Sequence, residues 1–251
     1  MKKILFVLLA LLLALGLPAC GAPASAEVPP PEVSESTPAK TPEPTVVVFT
    51  DPVLEELVRK AMDKPEDDIT LAEAEAVTEL NMEMDGGVPI ARVADVSDLK
   101  QFPNLTSLNL NWALNDGDDV FDISPLAGLT KLEYLYVCCA NISDISALSG
   151  MTNMKDLWIW GNNITDISAL ASMTQMESLW IKGNRITDIS ALANMKNLVY
   201  LYMEDNQVTD LSPLAGLSKL TYVLLSGNPA TDYSPLKDVY PNLEEKDFEI
   251  N

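Results

Sequence analysis

Residues 154–175 read MKDLWIWGNNITDISALASMTQ, and residues 176–197 read MESLWIKGNRITDISALANMKN. The second stretch repeats the first after 22 residues with every large aliphatic position kept. Met154, Leu157 and Ile159 become Met176, Leu179 and Ile181, then Leu198, Leu201 and Met203, then Leu220, Val223 and Leu225. One step back, Leu132, Leu135 and Val137 hold the same interval. Leu105, Leu108 and Leu110, and before them Val77, Leu80 and Met82, precede it at intervals of 27 and 28, with the extra length around Trp112–Asp119 and Asp85–Ala91. That makes about seven coils over residues 77–239. Each continues as N-x-I-x-D-I-S-x-L-x-x-L, with Asn162, Asn184, Asn206 and Asn228 at the Asn position and Ala140, Ala113 and Asp85 as departures.

Leucines at alternate positions put two side chains on one face of a short strand. The later Ile, Ile, Leu and Leu form the opposite wall. One coil cannot bury its own apolar face, whereas stacked coils share a continuous core. An Asn inside such a stack satisfies backbone groups of neighbouring turns. Each coil also has an acid before its second wall: Asp95, Asp122, Asp144, Asp166, Asp188, Asp210 and Asp232. In D-I-S its carboxylate suits backbone N–H groups that open a 3-10 turn. A row of metal-binding carboxylates is the alternative, but oxygen-ligated sites need several converging groups and each coil supplies one. Ahead of the repeats, Asp51 caps a helix with Pro52 at its first position, and Leu54, Leu57, Val58, Ala61 and Met62 share one stripe. Thr70–Glu73 reads as the capping box of a second short helix.

This 22-residue unit resembles the internalin-type leucine-rich repeat of bacterial surface proteins. The resemblance implies an α/β solenoid with a parallel concave sheet, a 3-10 or irregular convex side and an N-terminal helical cap at residues 47–76. Residues 240–251 form a C-terminal cap, with Leu243 and Phe248 closing the last coil. The expected function is that of a binding protein and not of an enzyme.

In this register the residue between the second and third leucine points outward from the sheet. Across the coils that column reads Asn81, Asn109, Tyr136, Trp158, Trp180, Tyr202 and Leu224. The column before it reads Glu79, Ser107, Tyr134, Asp156, Ser178, Tyr200 and Tyr222, and the column after it Glu83, Asn111, Cys138, Trp160, Lys182, Glu204 and Ser226. Eight of the eleven Trp and Tyr thus fall on one surface, while all five Phe lie elsewhere. Trp and Tyr keep a polar handle and suit wet interfaces. The candidate partner-binding residues are Tyr134, Tyr136, Trp158, Trp160, Trp180, Lys182, Tyr200, Tyr202 and Tyr222. A protein ligand, a glycan stacked on the rings, and cross-strand packing with no ligand are the three readings of this stripe. The adjacent Cys138 and Cys139 read as reduced thiols, Cys138 exposed on the concave face.

Composition narrows the function classes. Sixteen Lys plus Arg against thirty-seven Asp plus Glu give a charge of −21, which opposes binding to nucleic acid or to anionic lipid. There is no His, which removes Ser-His-Asp and Cys-His catalysis and His-ligated zinc. No cofactor or metal is expected, and the carboxylates are spread along the solenoid instead of paired in a cleft. The protein is expected to be a monomer.

The N-terminus reads as an export signal. Lys2 and Lys3 precede an apolar run, Ile4–Leu15, shorter than the ~20 residues that span a bilayer. Leu17-Pro18-Ala19-Cys20 then resembles a bacterial lipobox, which implies a lipoprotein signal at residues 1–19 and diacylglycerol on Cys20. An ordinary signal peptide cleaved near Ala19, Ala22 or Ala24 is the alternative. Residues 20–46 form a Pro-rich tether, too poor in large apolar residues to bury a core. These readings place the repeats on the extracellular face of the cell membrane, attached to it through the lipid alone. The anchor has a direct test. Cys20→Ser is expected to release the protein into the medium and to abolish fatty-acid labelling. Retention of that variant by membranes would refute the lipobox reading.

Overall fold

The computed structural model describes residues 46–82, 92–114 and 120–250. The chain divides into two units, residues 1–42 and 43–251, and all described residues lie in the second. Cys20, the signal, almost all of the tether, Glu83 and the Asp85–Ala91 insertion fall outside the described residues. Among those described, no helix is long and apolar enough to cross a membrane.

The repeat folds as its period requires. Eight parallel strands form one sheet in sequence order: β1 Glu79–Asn81, β2 Ser107–Asn109, β3 Tyr134–Tyr136, β4 Asp156–Trp158, β5 Ser178–Trp180, β6 Tyr200–Tyr202, β7 Tyr222–Leu224 and β8 Glu245–Lys246. The central residue of each of the first seven strands is buried, from Leu80 to Val223. The opposite wall is a stack of 3-10 turns such as Ser146–Gly150, Ser168–Ser172 and Ser190–Asn194. Ile164, Ile167, Leu170 and Met173 of one coil, and their equivalents in the next, are buried between the walls. The eighth strand lies in the C-terminal segment, beyond the last full repeat. There Leu243 and Phe248 are buried, Phe248 stacks on Tyr233, and Asp247 accepts the backbone N–H groups of Leu225 and Ser226.

A coil this tight turns two corners, and each has its own solution. At the first, the side-chain oxygen of Asn184 accepts the N–H of Ile164 in the preceding coil at 3.0 Å. Its amide nitrogen donates to the carbonyls of Ile159 and Ile181. Asn162, Asn206 and Asn228 repeat the arrangement. Asn162 also receives the N–H of Ala140, whose coil lacks an Asn at this position. At the second corner, all seven repeat aspartates accept the backbone N–H of the Ser two residues on, at 2.7–2.9 Å. The serine backbone N–H, aided by the hydroxyl, holds the carboxyls of Asp144, Asp166 and Asp210 below the ordinary aspartate value. The row of aspartates is therefore a row of turn caps.

Just past β2 to β7 the chain enters the left-handed region, at Trp112, Cys139, Gly161, Gly183, Asp205 and Gly227, with φ between +54° and +75°. Cys139 and Asp205 are each followed in the next coil by glycine. A Cβ on Gly161 would stand 2.7 Å from the Cys139 sulfur, and one on Gly227 would collide with Asp205.

The N-terminal cap consists of α1, Pro52–Ala61, and α2, Leu71–Ala76. Thr70 and Glu73 form the capping box of α2. Asp51 does more than cap α1. One carboxylate oxygen accepts the N–H of Val53 and Leu54, and the other accepts those of Ala94 and Asp95 in the first coils. Burial opposes the charge of Asp51, but these four donors outweigh it and hold its carboxyl below the ordinary value.

The Asn ladder and the leucine core make separable contributions. Asn184→Ala is expected to cost about 1–3 kcal/mol, because it strands buried backbone groups in two coils. Leu179→Ala, which leaves a cavity, should cost ~2–5 kcal/mol. Chemical denaturation of both variants checks this, and an unchanged midpoint for Asn184→Ala would refute the ladder.

Candidate functional site

Strand pairing sets the outward columns side by side. Tyr136 pairs with Trp158, Trp158 with Trp180, and Trp180 with Tyr202. Their rings form a continuous ladder. Centroid separations are 4.9 Å for Tyr136–Trp158, 4.6 Å for Trp158–Trp180 and 3.9 Å for Trp180–Tyr202, close to the strand spacing that generates them. The last two pairs lie within about 31° of parallel, so the rings stand on the sheet with their flat faces turned to one another. Each is half-buried. Cross-strand packing and an outward-facing surface therefore coexist: faces are used within the ladder and edges reach solvent.

The polar ends are fixed. The Trp158 indole donates to Asp156 Oδ1 at 2.9 Å, the Tyr136 hydroxyl donates to Asp156 Oδ2 at 3.1 Å, and the Trp180 indole donates to Ser178 Oγ at 3.0 Å. Burial pushes the Asp156 carboxyl above its ordinary value, against the opposing pull of donors from Ser178, Tyr136 and Trp158. Burial likewise raises the Tyr136 hydroxyl, with the Asp156 charge adding to it. Tyr222 stacks on Tyr200 at 4.8 Å and donates to Glu244 at 2.7 Å, a bond that pushes its hydroxyl up to about 12.

The preceding column forms a shallow cleft of about 350 Å³ beside the ladder. Asp156 and Ser178 make its floor, Tyr134 and Tyr200 stand at its ends, and Lys155 and Glu177 line its edge. Tyr134 and Tyr200, 37% and 39% exposed, are the most open rings of the sheet itself.

The third outward column differs from its sequence reading. Trp160 and Lys182 reach the surface, Lys182 bound to Glu204 at 3.2 Å. Asn111, Cys138 and Glu204 are buried. Cys138, expected on the exposed face, is 1% exposed. The reason is Trp112. Its backbone is left-handed, with φ +62°, and its ring meets the edge of Trp160 at 5.7 Å. Those two residues belong to coils on either side of the coil of Cys138, so the rings close over that thiol. Below them Asn111 accepts the Cys138 N–H, and the Cys138 thiol points to the Trp158 carbonyl. Cys138 and Cys139 are both thiols. Trp112 itself is 42% exposed and extends the aromatic surface by one coil. It was hidden from the three outward columns because it stands one residue beyond the last of them, at the left-handed corner that Cys139 and Gly161 hold in the next two coils. Among the described residues, no group of three or more His, Cys, Asp or Glu could hold a metal ion.

The leucine-rich-repeat family model, in two copies, matches residues 152–194 and 196–238. An internalin (inlF) from Listeria monocytogenes is similar in structure, at 34% identity and a TM-score of 0.71, over 83% of this chain and 59% of that one. The chain thus spans less than two thirds of that relative. Internalin C2 (inlC2) from the same organism matches at 30% identity and a TM-score of 0.65, over 83% of this chain and 99% of that one. No curated protein sequence matches the chain.

The Trp112–Trp160 closure is testable by alkylation. In the parent protein, iodoacetamide should modify Cys139 well before Cys138, since only the latter is fully covered. Trp112→Ala should speed modification of Cys138 at least tenfold, measured by peptide mass mapping, while leaving the melting temperature nearly unchanged.

Proposed function

Because the chain belongs to the internalin family of leucine-rich-repeat proteins, we propose that its sheet face binds a protein partner, with Trp158, Trp180 and Tyr202 as central anchors. The ring ladder is the observation that supports this reading most. Four aromatic residues in consecutive strands present ring edges at fixed spacing, held in place by one another and by the bonds of their polar ends to Asp156 and Ser178. Rigid Trp and Tyr side chains lose little entropy on binding and dominate protein interfaces. Their mutual stacking also bears on the glycan alternative. Sugars stack on open ring faces, and the faces of Trp158 and Trp180 are already taken by neighbours.

In the same reading the lipid on Cys20 holds the protein at the outer face of the cell membrane, and residues 20–46 act as a spacer. Pro-rich chain extends by about 3 Å per residue, so such a spacer lifts the repeats tens of Å from the bilayer. The role is adhesion or recognition by binding alone.

The test compares single variants of the full chain. Trp180→Ala removes two ring stacks and is expected to cost about 1–3 kcal/mol of stability, leaving the protein folded. As a lost anchor it should weaken capture of the partner from host or envelope extracts by more than tenfold, or ≥ ~1.4 kcal/mol. A folded Trp180→Ala and a folded Trp158→Ala that both capture the same proteins at parent affinity would refute the anchors.

A further inference from the structure

The column beside the ladder reads Tyr134, Asp156, Ser178, Tyr200, Tyr222 across β3 to β7. Two short residues therefore stand between two tyrosines. The tyrosines are three strand spacings apart, about 14 Å. Tyr200 stacks one side on Tyr222, with 27° between the planes, which turns its other face toward the gap over Ser178. In the ladder, by contrast, the two inner rings each have a ring on both sides, Trp158 between Tyr136 and Trp180 and Trp180 between Trp158 and Tyr202. The cleft's open aromatic faces thus belong to Tyr134 and Tyr200.

The charge around this cleft is net negative. Asp156 lies in the floor and Glu177 on the edge. Asp156 accepts the ring donors of Trp158 and Tyr136 and a bond from Ser178, and a carboxylate has about four acceptor sites, so one is left for a further donor. The cleft's own lysine, Lys155, is held by Glu133 at 2.6 Å, and Lys182 is held by Glu204. The whole chain carries a charge of −21. An apolar group placed here would strip water from Asp156 without replacing it, which is unfavourable. An anion would meet two carboxylates.

We infer that this cleft takes a cationic side chain of the protein partner, an arginine or lysine laid against the open face of Tyr200 or Tyr134 with Asp156 as its counter-charge. The inference rests on the protein-binding reading and adds the chemistry of the partner: a basic surface with a protruding Arg or Lys. A cation over an aromatic face is attracted by the ring quadrupole, and a guanidinium also stacks flat on the ring while its N–H fork reaches a carboxylate. Acid on this face and base on the partner would also steer their encounter.

The experiment uses the full chain and small probes: N-acetylarginine amide, its neutral isostere N-acetylcitrulline amide, and choline. Indole N–H signals of Trp158 and Trp180 report binding by NMR. Arginine amide is expected to give a saturable shift, and citrulline amide to bind at least tenfold more weakly. Tyr200→Ala and Asp156→Asn should each weaken the arginine response at least fivefold, while Tyr200→Phe, which keeps the ring, should retain it. Equal binding of arginine and citrulline amides overturns the inference, as does an arginine response indifferent to both Tyr200→Ala and Asp156→Asn. Choline binding without arginine binding also overturns it, in favour of a quaternary ammonium headgroup. The two readings fail separately. No arginine response, with partner capture still lost in Trp180→Ala, refutes the cationic cleft alone. A selective arginine response, with capture unchanged in Trp180→Ala, supports the cleft and refutes the ladder anchors.

Discussion

Each regular coil has to return to the sheet within 22 residues, and no helix is available to absorb the backbone polar groups left inside the turn. The asparagine ladder meets that constraint. Asn184 binds groups of its own coil and of the preceding one, and Asn162, Asn206 and Asn228 do the same along the stack. A buried N–H or carbonyl left without a partner costs about 1–3 kcal/mol, so a coil this short depends on such a side chain. The ladder also spaces the coils, because each Asn reaches one strand away. Apolar packing then fills a volume whose dimensions the amides have set.

The outward surface inherits that spacing. Strands held side by side in parallel place residues 22 positions apart directly next to each other. A repeated Trp or Tyr in one column therefore becomes a stack. The stacking is in part structural, since each ring buries its neighbour, and in part a pre-organised surface, since the ring edges are locked in place before any partner arrives. The same geometry makes gaps: where the next column drops to Asp156 and Ser178, the tyrosines on either side are left open. One regular lattice thus yields both a rigid ridge and a cleft with a carboxylate in its floor.

Charge is distributed to match. On the convex side the aspartates are consumed by turn capping, and on the sheet face Lys155 and Lys182 are consumed by glutamates. Beside the aromatic surface, negative charge remains at Asp156 and Glu177.

Most of the fold was legible in residues 77–239, because a fixed period with leucines at alternate positions admits one stacking and one register. The period alone named the inward leucines, the Asn ladder, the Asp caps and the columns to which Tyr134, Trp158, Trp180 and Tyr202 belong. It did not reveal what the side chains in a column do to each other. That Trp158 and Trp180 turn their faces inward along the ladder, leaving Tyr134 and Tyr200 the open ones, follows from ring packing across strands. The third column shows the limit most clearly. Its pattern assigned Asn111, Cys138 and Glu204 to the surface, yet all three are buried. Alternation fixes which side of a strand a residue points to, but exposure also depends on what lies above it. Above Cys138 lies Trp112, from the corner after β2, and only the tertiary structure decides that its ring turns toward Trp160.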